Sequence, residues 1–164
     1  KAPSEMRNRE GQALVGNACG MCATGSTIYV GGKAGERLGI RNSGATILAE
    51  AALDYPFEYQ VAGRGILLGE FVGMIGSRMT GGELFFYDPS GERHERIAKE
   101  YIETVNMTDA DYDSLRAEIQ AFHDDTVSVV AGRILANWDN EKLKFVKAVT
   151  HEDAKKGGTQ DDSN

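Results

Sequence analysis

Two cysteines in 164 residues are a scarcity that removes a class of protein. Cys19 and Cys22 stand too close together for a disulfide to close a useful loop, so neither a disulfide scaffold nor an oxidising compartment is indicated. No apolar run approaches the ~20 residues that cross a bilayer, and no charged segment followed by an apolar stretch opens the chain. The expectation is a cytoplasmic protein with no membrane partner. An excess of base is also lacking: the formal net charge is −7. An acidic surface repels phosphate, so nucleic acid is not an expected partner. Lys1 in place of Met implies a natural start that is missing or processed.

What the chain has in plenty is glycine, and its placement divides the sequence. Residues 1–87 hold sixteen of the twenty glycines and equal numbers of acids and bases, whereas the whole charge excess falls in residues 88–164. Gly25, Gly44, Gly63 and Gly82 recur at intervals of nineteen residues. Each precedes a short apolar run, at Thr27 to Val30, Thr46 to Ala49, Gly65 to Leu68 and Leu84 to Tyr87. A fixed period near twenty signals stacked coils in which each strand pairs with its equivalents above and below. A second set lies nine residues earlier, at Gly16, Gly35 and Gly73, with Asp54 in the remaining slot. Glycine enters left-handed backbone without steric cost, so both sets mark corners. Side chains alternate along a strand, which predicts one inward column of Ile28, Ile47, Ile66 and Phe85 and another of Val30, Ala49, Leu68 and Tyr87. The expected fold is mainly β: a right-handed parallel β-helix with 19-residue coils over residues 1–88. Six-residue solenoid units are set aside, because nineteen is not a multiple of six.

Residues 89–154 read as a helical appendage. Thr108 or Asp109 caps a helix in which Tyr112, Leu115, Ile119 and Phe122 recur at spacings of three and four. A second apolar face runs from Val127 to Trp138, giving a helical hairpin that covers an end or a side of the coils. Phe145 to Val149 reads as a short edge strand. Residues 155–164, polar and without aromatics, read as a disordered tail.

Little of this supports chemistry. Cys19 and Cys22 supply half of a four-ligand zinc site, and no second pair follows. His94, His123 and His151 are scattered. Gly31 to Gly35 lacks the hydroxyl that a phosphate loop needs after its lysine, since Ala34 stands there. His123 beside Asp124 and Asp125 suits a helix-capping group. No catalytic, cofactor-binding or metal residue is assigned; an enzyme working alone through Cys22 or His123 is the alternative from another class. One charged cluster interrupts the small and apolar coils: Glu36, Arg37, Arg41 and Asn42. Arginine's rigid fork suits interfaces, so this cluster is the candidate docking site.

At these residues the chain resembles the carboxy-terminal glycine-rich (GXGXG) domain of the glutamate synthase large subunit. The likeness runs through Gly16-Asn17, Ala23-Thr-Gly25, Gly32 to Arg37, Ile40-Arg-Asn-Ser-Gly-Ala45, Glu58-Tyr59 and Met79 to Gly82, then Ile134 to Trp138 and Phe145 to Lys147. Cys22, Ser26 and Asp54 to Phe57 depart from the family pattern, which suggests a separately encoded, divergent subunit. Lys1-Ala-Pro3 resembles the tail of a strand from a coil further upstream. The resemblance implies a right-handed β-helix without catalytic residues, a scaffold in glutamine-dependent glutamate formation from 2-oxoglutarate. It implies glutaminase and FMN-binding synthase domains or subunits as partners, with FMN and an iron–sulfur cluster held by them and no cofactor in this chain. Self-association into a homo-oligomer stays open. Related glycine-rich chains, a scaffold subunit of formylmethanofuran dehydrogenase and a part of N-methylglutamate synthase, mark the alternative assemblies.

Overall fold

The computed structural model describes residues 13–158. Five parallel strands stack in chain order: β1 (Ala13–Val15), β2 (Thr27–Ala34), β3 (Ser43–Ala52), β4 (Ala62–Leu67) and β5 (Glu83–Tyr87). They form a solenoid-like stack of about four turns, each strand pairing with the next coil rather than crossing over through a helix. The sheet then changes sense. β7 (Phe145–Thr150) runs antiparallel along the free edge of β5, and β6 (Ile102–Val105) runs antiparallel along β7. Phe145 to Val149 is therefore an interior strand, and the residues 89–154 read as helical contribute two strands that close this end of the stack.

The helices are α1 (Asp109–Thr126), α2 (Val129–Ala136), α3 (Trp138–Glu141) and α4 (His151–Gly158). Thr108 opens α1 with a reciprocal cap: its hydroxyl accepts from the Asp111 amide while the Asp111 carboxylate accepts from the Thr108 amide. Such a cap satisfies two of the donors that a helix start leaves unpaired. α1 and α2 lie against the outer face of the coils. Leu115, Ile119, Phe122, Ala131 and Ile134 pack there on Leu48, Ile66, Leu68 and Phe85, and Tyr29 meets Phe122 edge to face at 5.5 Å. α4 takes in the first residues of the stretch expected to be disordered; residues 159–164, and the upstream coil expected at Lys1 to Pro3, lie outside the described residues.

The inward columns need correction at the third coil. Ile28 stacks on Ile47 and Val30 on Ala49 at an offset of nineteen, but Ile47 stacks on Gly65 and Ala49 on Leu67. The slip follows a register shift between Ser43 and Thr46. One residue of slip exchanges the two faces of a strand. Ile66, Leu68, Phe85 and Tyr87 accordingly face the helices, while Leu67, Leu84 and Phe86 fill the coil interior. Gly65 leaves a gap in the inner column, and Phe57 fills it: a Cβ on Gly65 would lie 2.7 Å from three carbons of that ring.

Candidate functional site

The corner between each strand and the next is a run of alternating left-handed residues. Ala18, Gly20 and Cys22 have φ of 56°, 73° and 55°; Arg37, Gly39 and Arg41 have 55°, 67° and 54°; Tyr55, Phe57 and Tyr59 have 57°, 60° and 58°. Alternation turns successive peptide groups in opposite directions along the stack. The amides of Ala18, Arg37, Cys22, Arg41 and Tyr59 donate to the following coil, at Glu36, Asp54, Ile40, Glu58 and Ser77, over 2.8–3.0 Å. Those of Gly39 and Phe57 donate back to Cys19 and Leu38, at 2.8 and 2.7 Å. Left-handed backbone costs a non-glycine residue about 1–2 kcal/mol, and here the corner ladder holds it in place.

The corner glycines divide by what they avoid. Gly25, Gly44, Gly63, Gly73 and Gly82 have φ of 58°, 144°, 87°, 68° and 88°. Gly35 is not left-handed but touches the preceding coil, where a Cβ would lie 2.6 Å from Asn17 and 2.7 Å from Gly16. Gly16 meets neither limit, having nothing within 4 Å of an added Cβ. In the slot of Asp54 the left-handed residue is its neighbour Tyr55.

Of the four residues grouped as a docking cluster, three are exposed and one is not. Glu36, Arg37 and Arg41 lie on the outer side of the corner. Arg37 Nε pairs with Glu58 of the next coil at 3.3 Å, and Arg41 lies over the ring of Tyr59. Asn42 is fully buried and leaves the cluster. Its Oδ1 accepts from the Ala45 amide at 2.9 Å, and its Nδ2 donates to the Ala45 carbonyl at 2.8 Å and to Gln60 Oε1 at 3.2 Å. Gln60, also fully buried, donates on to Gly63 at 3.4 Å. The two amides form a polar column that satisfies backbone groups at the glycine corners, which buried polar groups require.

A groove of about 730 Å³ lies where β6, β7 and α4 meet the start of α1, with Glu83, Asp111, Lys147, Thr104 and Asp153 on its walls. Lys147 Nζ sits 2.7 Å from Asp111 and 2.8 Å from Glu83, and Glu83 also pairs with Arg64 at 3.1 Å. Burial pulls the Lys147 ammonium down, but its bonds to Asp111 and Glu83 carry it above its ordinary value. Burial likewise raises Asp111, and the bonds from Lys147 and Thr108 outweigh it and hold the carboxyl below the usual range. Both groups stay charged at neutral pH and are occupied with each other. The network ties α1 to the sheet and offers no free acid or base.

Cys22 is exposed at its corner and His151 pairs with Glu103 at 3.0 Å, while Cys19, His123 and His94 are engaged in packing and caps. Burial pushes the Cys19 thiol up, which lowers its thiolate fraction and its reactivity. His123 Nδ1 lies 2.9 Å from the Ser128 carbonyl, at the junction of α1 and α2. Its ring abuts Gly132, which lets the two helices approach. His94 pairs with Asp88 at 3.1 Å, and Asp88 accepts the amides of Glu92, Arg93 and His94 at the start of a 3₁₀ turn. Among the described residues, no three His, Cys, Asp or Glu side chains are grouped to hold a metal ion, and no helix is long and apolar enough to cross a membrane.

Residues 1–151 match the family described as GXGXG motif. The chain is similar to ferredoxin-dependent glutamate synthase 2 of Synechocystis sp., 36% identical over 141 residues that make up 85% of this chain and 9% of that protein. It is 33% identical to the NADH glutamate synthase of Schizosaccharomyces pombe over 87% of this chain and 7% of that protein. Against the chloroplastic ferredoxin-dependent glutamate synthase 2 of Arabidopsis thaliana the identity is 32%, over 85% of the chain and 9% of the relative. The chain thus spans less than a tenth of the length of these curated relatives.

Proposed function

We infer a scaffolding role from the fact that this chain belongs to the GXGXG motif family. In this reading it is a non-catalytic domain or subunit of a glutamate synthase-type oxidoreductase. It fixes the relative positions of a glutaminase part, which releases ammonia from glutamine, and a flavin part, which uses that ammonia to aminate 2-oxoglutarate. The observation that carries the reading is one of proportion. Full-length glutamate synthases match most of this chain, yet it supplies less than a tenth of them.

The side chains support the same division of labour. Cys19 and Cys22 are two thiols, whereas an iron–sulfur cluster takes about four, so they do not fit that group. FMN and the cluster belong, in this reading, to the partner parts. His123 and Lys147 are held by a carbonyl and by carboxylates and are not set out as an acid and base pair.

Affinity purification of the tagged chain from its native host tests the proposal. Recovery of a flavoprotein together with an amidotransferase is the expected result. Recovery of the chain with neither of them would overturn it.

A further inference from the structure

On the corner that carries Arg41, one outer column continues through Tyr59 and Arg78. All three are left-handed, with φ of 54°, 58° and 54°. Backbone bonds set them one coil apart: the Arg41 amide donates to Glu58 and the Tyr59 amide to Ser77. Arg41 Cζ lies 5.9 Å from the centre of the Tyr59 ring and Arg78 Cζ lies 5.5 Å from it, so one aromatic ring is flanked by two guanidinium groups from neighbouring coils. Two coil spacings separate the arginine backbones by ~10 Å. Both side chains are exposed, and among the described residues neither guanidinium has a carboxylate or hydrogen-bond partner. Arg37, by contrast, is already paired with Glu58.

We propose that Arg41, Tyr59 and Arg78 form a docking ridge for an acidic segment of a partner protein. A cation–π contact engages the face of a guanidinium and leaves its N–H donors for a bidentate bond to a carboxylate. Charge complementarity selects the occupant. Two unpaired cations on a chain of net charge −7 suit a short run of carboxylates and suit the continuous phosphate of a nucleic acid poorly. The same corner exposes Met21, Tyr55 and Met74, at 60%, 44% and 49%, which gives the ridge an apolar rim. The proposal deepens the scaffold reading by naming a surface and a partner chemistry, and it rests on that reading only for which protein carries the acidic segment.

Fluorescence anisotropy on the full chain tests the ridge with a labelled polyglutamate peptide at low salt. The expected result is binding that weakens as salt rises. In the double variant Arg41→Asn, Arg78→Asn the affinity should fall at least about tenfold, or 1.4 kcal/mol, with the melting curve retained, because asparagine tolerates left-handed backbone. Arg41→Lys, Arg78→Lys keeps the charge and loses the fork, and should bind between the two; it serves also if the asparagine variant fails to fold. Lys142→Gln, in the turn after α3 where the ammonium lies over the Tyr112 ring, should bind like the parent. Absence of peptide binding, an equal loss in Lys142→Gln, unchanged binding in both ridge variants, or tighter binding of a labelled oligothymidylate would each overturn the proposal. None of these results bears on whether a flavoprotein co-purifies, so the ridge and the scaffold role fail separately.

Discussion

Replacing Gly65 by alanine would set a Cβ 2.7 Å from Cε1, Cε2 and Cζ of Phe57, well inside contact distance. The ring has nowhere to retreat. Phe57 is fully buried, its amide is bonded to the Leu38 carbonyl at 2.7 Å, and its other flank meets Gly39, where an added Cβ would lie 2.7 Å from the ring. Overpacking a filled core of this kind costs about 1–3 kcal/mol. For a domain of this size that is a fall in melting temperature of roughly 3–10 °C. Gly16→Ala is the matched control, since nothing lies within 4 Å of its added Cβ and alanine restricts the unfolded chain; it should change stability by less than about 1 kcal/mol in the favourable direction. Adding Phe57→Leu to Gly65→Ala should return part of the loss, because the smaller side chain makes room. Thermal and urea unfolding followed by circular dichroism would read all three. Equal melting temperatures for the parent and Gly65→Ala, or an equal fall in Gly16→Ala, would refute the stacking register.

Gly63→Val should be more damaging than Gly44→Val in the same melts: Gly63 combines a φ of 87° with a Cβ position 2.4 Å from the Ala45 carbonyl, whereas the nearest atom to a Cβ on Gly44 is 3.5 Å away. Asn42→Ala removes the acceptor of the buried Ala45 amide and the partner of Gln60, which should cost about 1–3 kcal/mol in urea unfolding. Burial raises the Asp88 carboxyl, but the hydrogen bonds from Arg93, His94 and Glu92 hold it below its ordinary value. A depressed folded pKa means that its contribution is complete above the unfolded carboxylate pKa of about 3.9 and is lost as pH falls through the folded one. Asp88→Asn should therefore flatten the acid limb of a plot of urea midpoint against pH. His151 has the opposite sign: the bonds to Glu103 and the Lys99 carbonyl raise it, so its contribution is present in acid and lost as pH rises through the raised value. His151→Gln should remove that loss, seen in the same plot as pH rises above the ordinary histidine pKa of about 6.5.

The period of the coils was legible because glycine marks the same corner four times, and α1 was legible because Leu115, Ile119 and Phe122 repeat on one face and carry a clean Thr108 cap. The face of each strand was not. Runs such as Ile47-Leu-Ala49 and Ile66-Leu-Leu68 are apolar throughout because the coil interior covers one side and the helices the other. A strand buried on both faces shows no alternation, so nothing in the sequence reveals the one-residue slip after Ser43. Asn42 was misplaced for a related reason: it adjoins exposed Arg41 in sequence, but the alternating corner turns it into the core. Tyr59 and Arg78 escaped notice because their relation to Arg41 exists only between coils, at offsets of eighteen and nineteen residues. The end cap was half visible. Phe145 to Val149 has a strand's composition, whereas its partner Ile102 to Val105 is four residues long and half polar.

A steady-state assay of the purified chain alone, for glutaminase and for glutamate synthase activity with 2-oxoglutarate, FMN and a reductant supplied, bears most directly on the scaffold account. That account predicts no turnover in either assay from a fully folded chain. Sustained release of ammonia or glutamate, abolished by substituting Cys22 or His123, would contradict it.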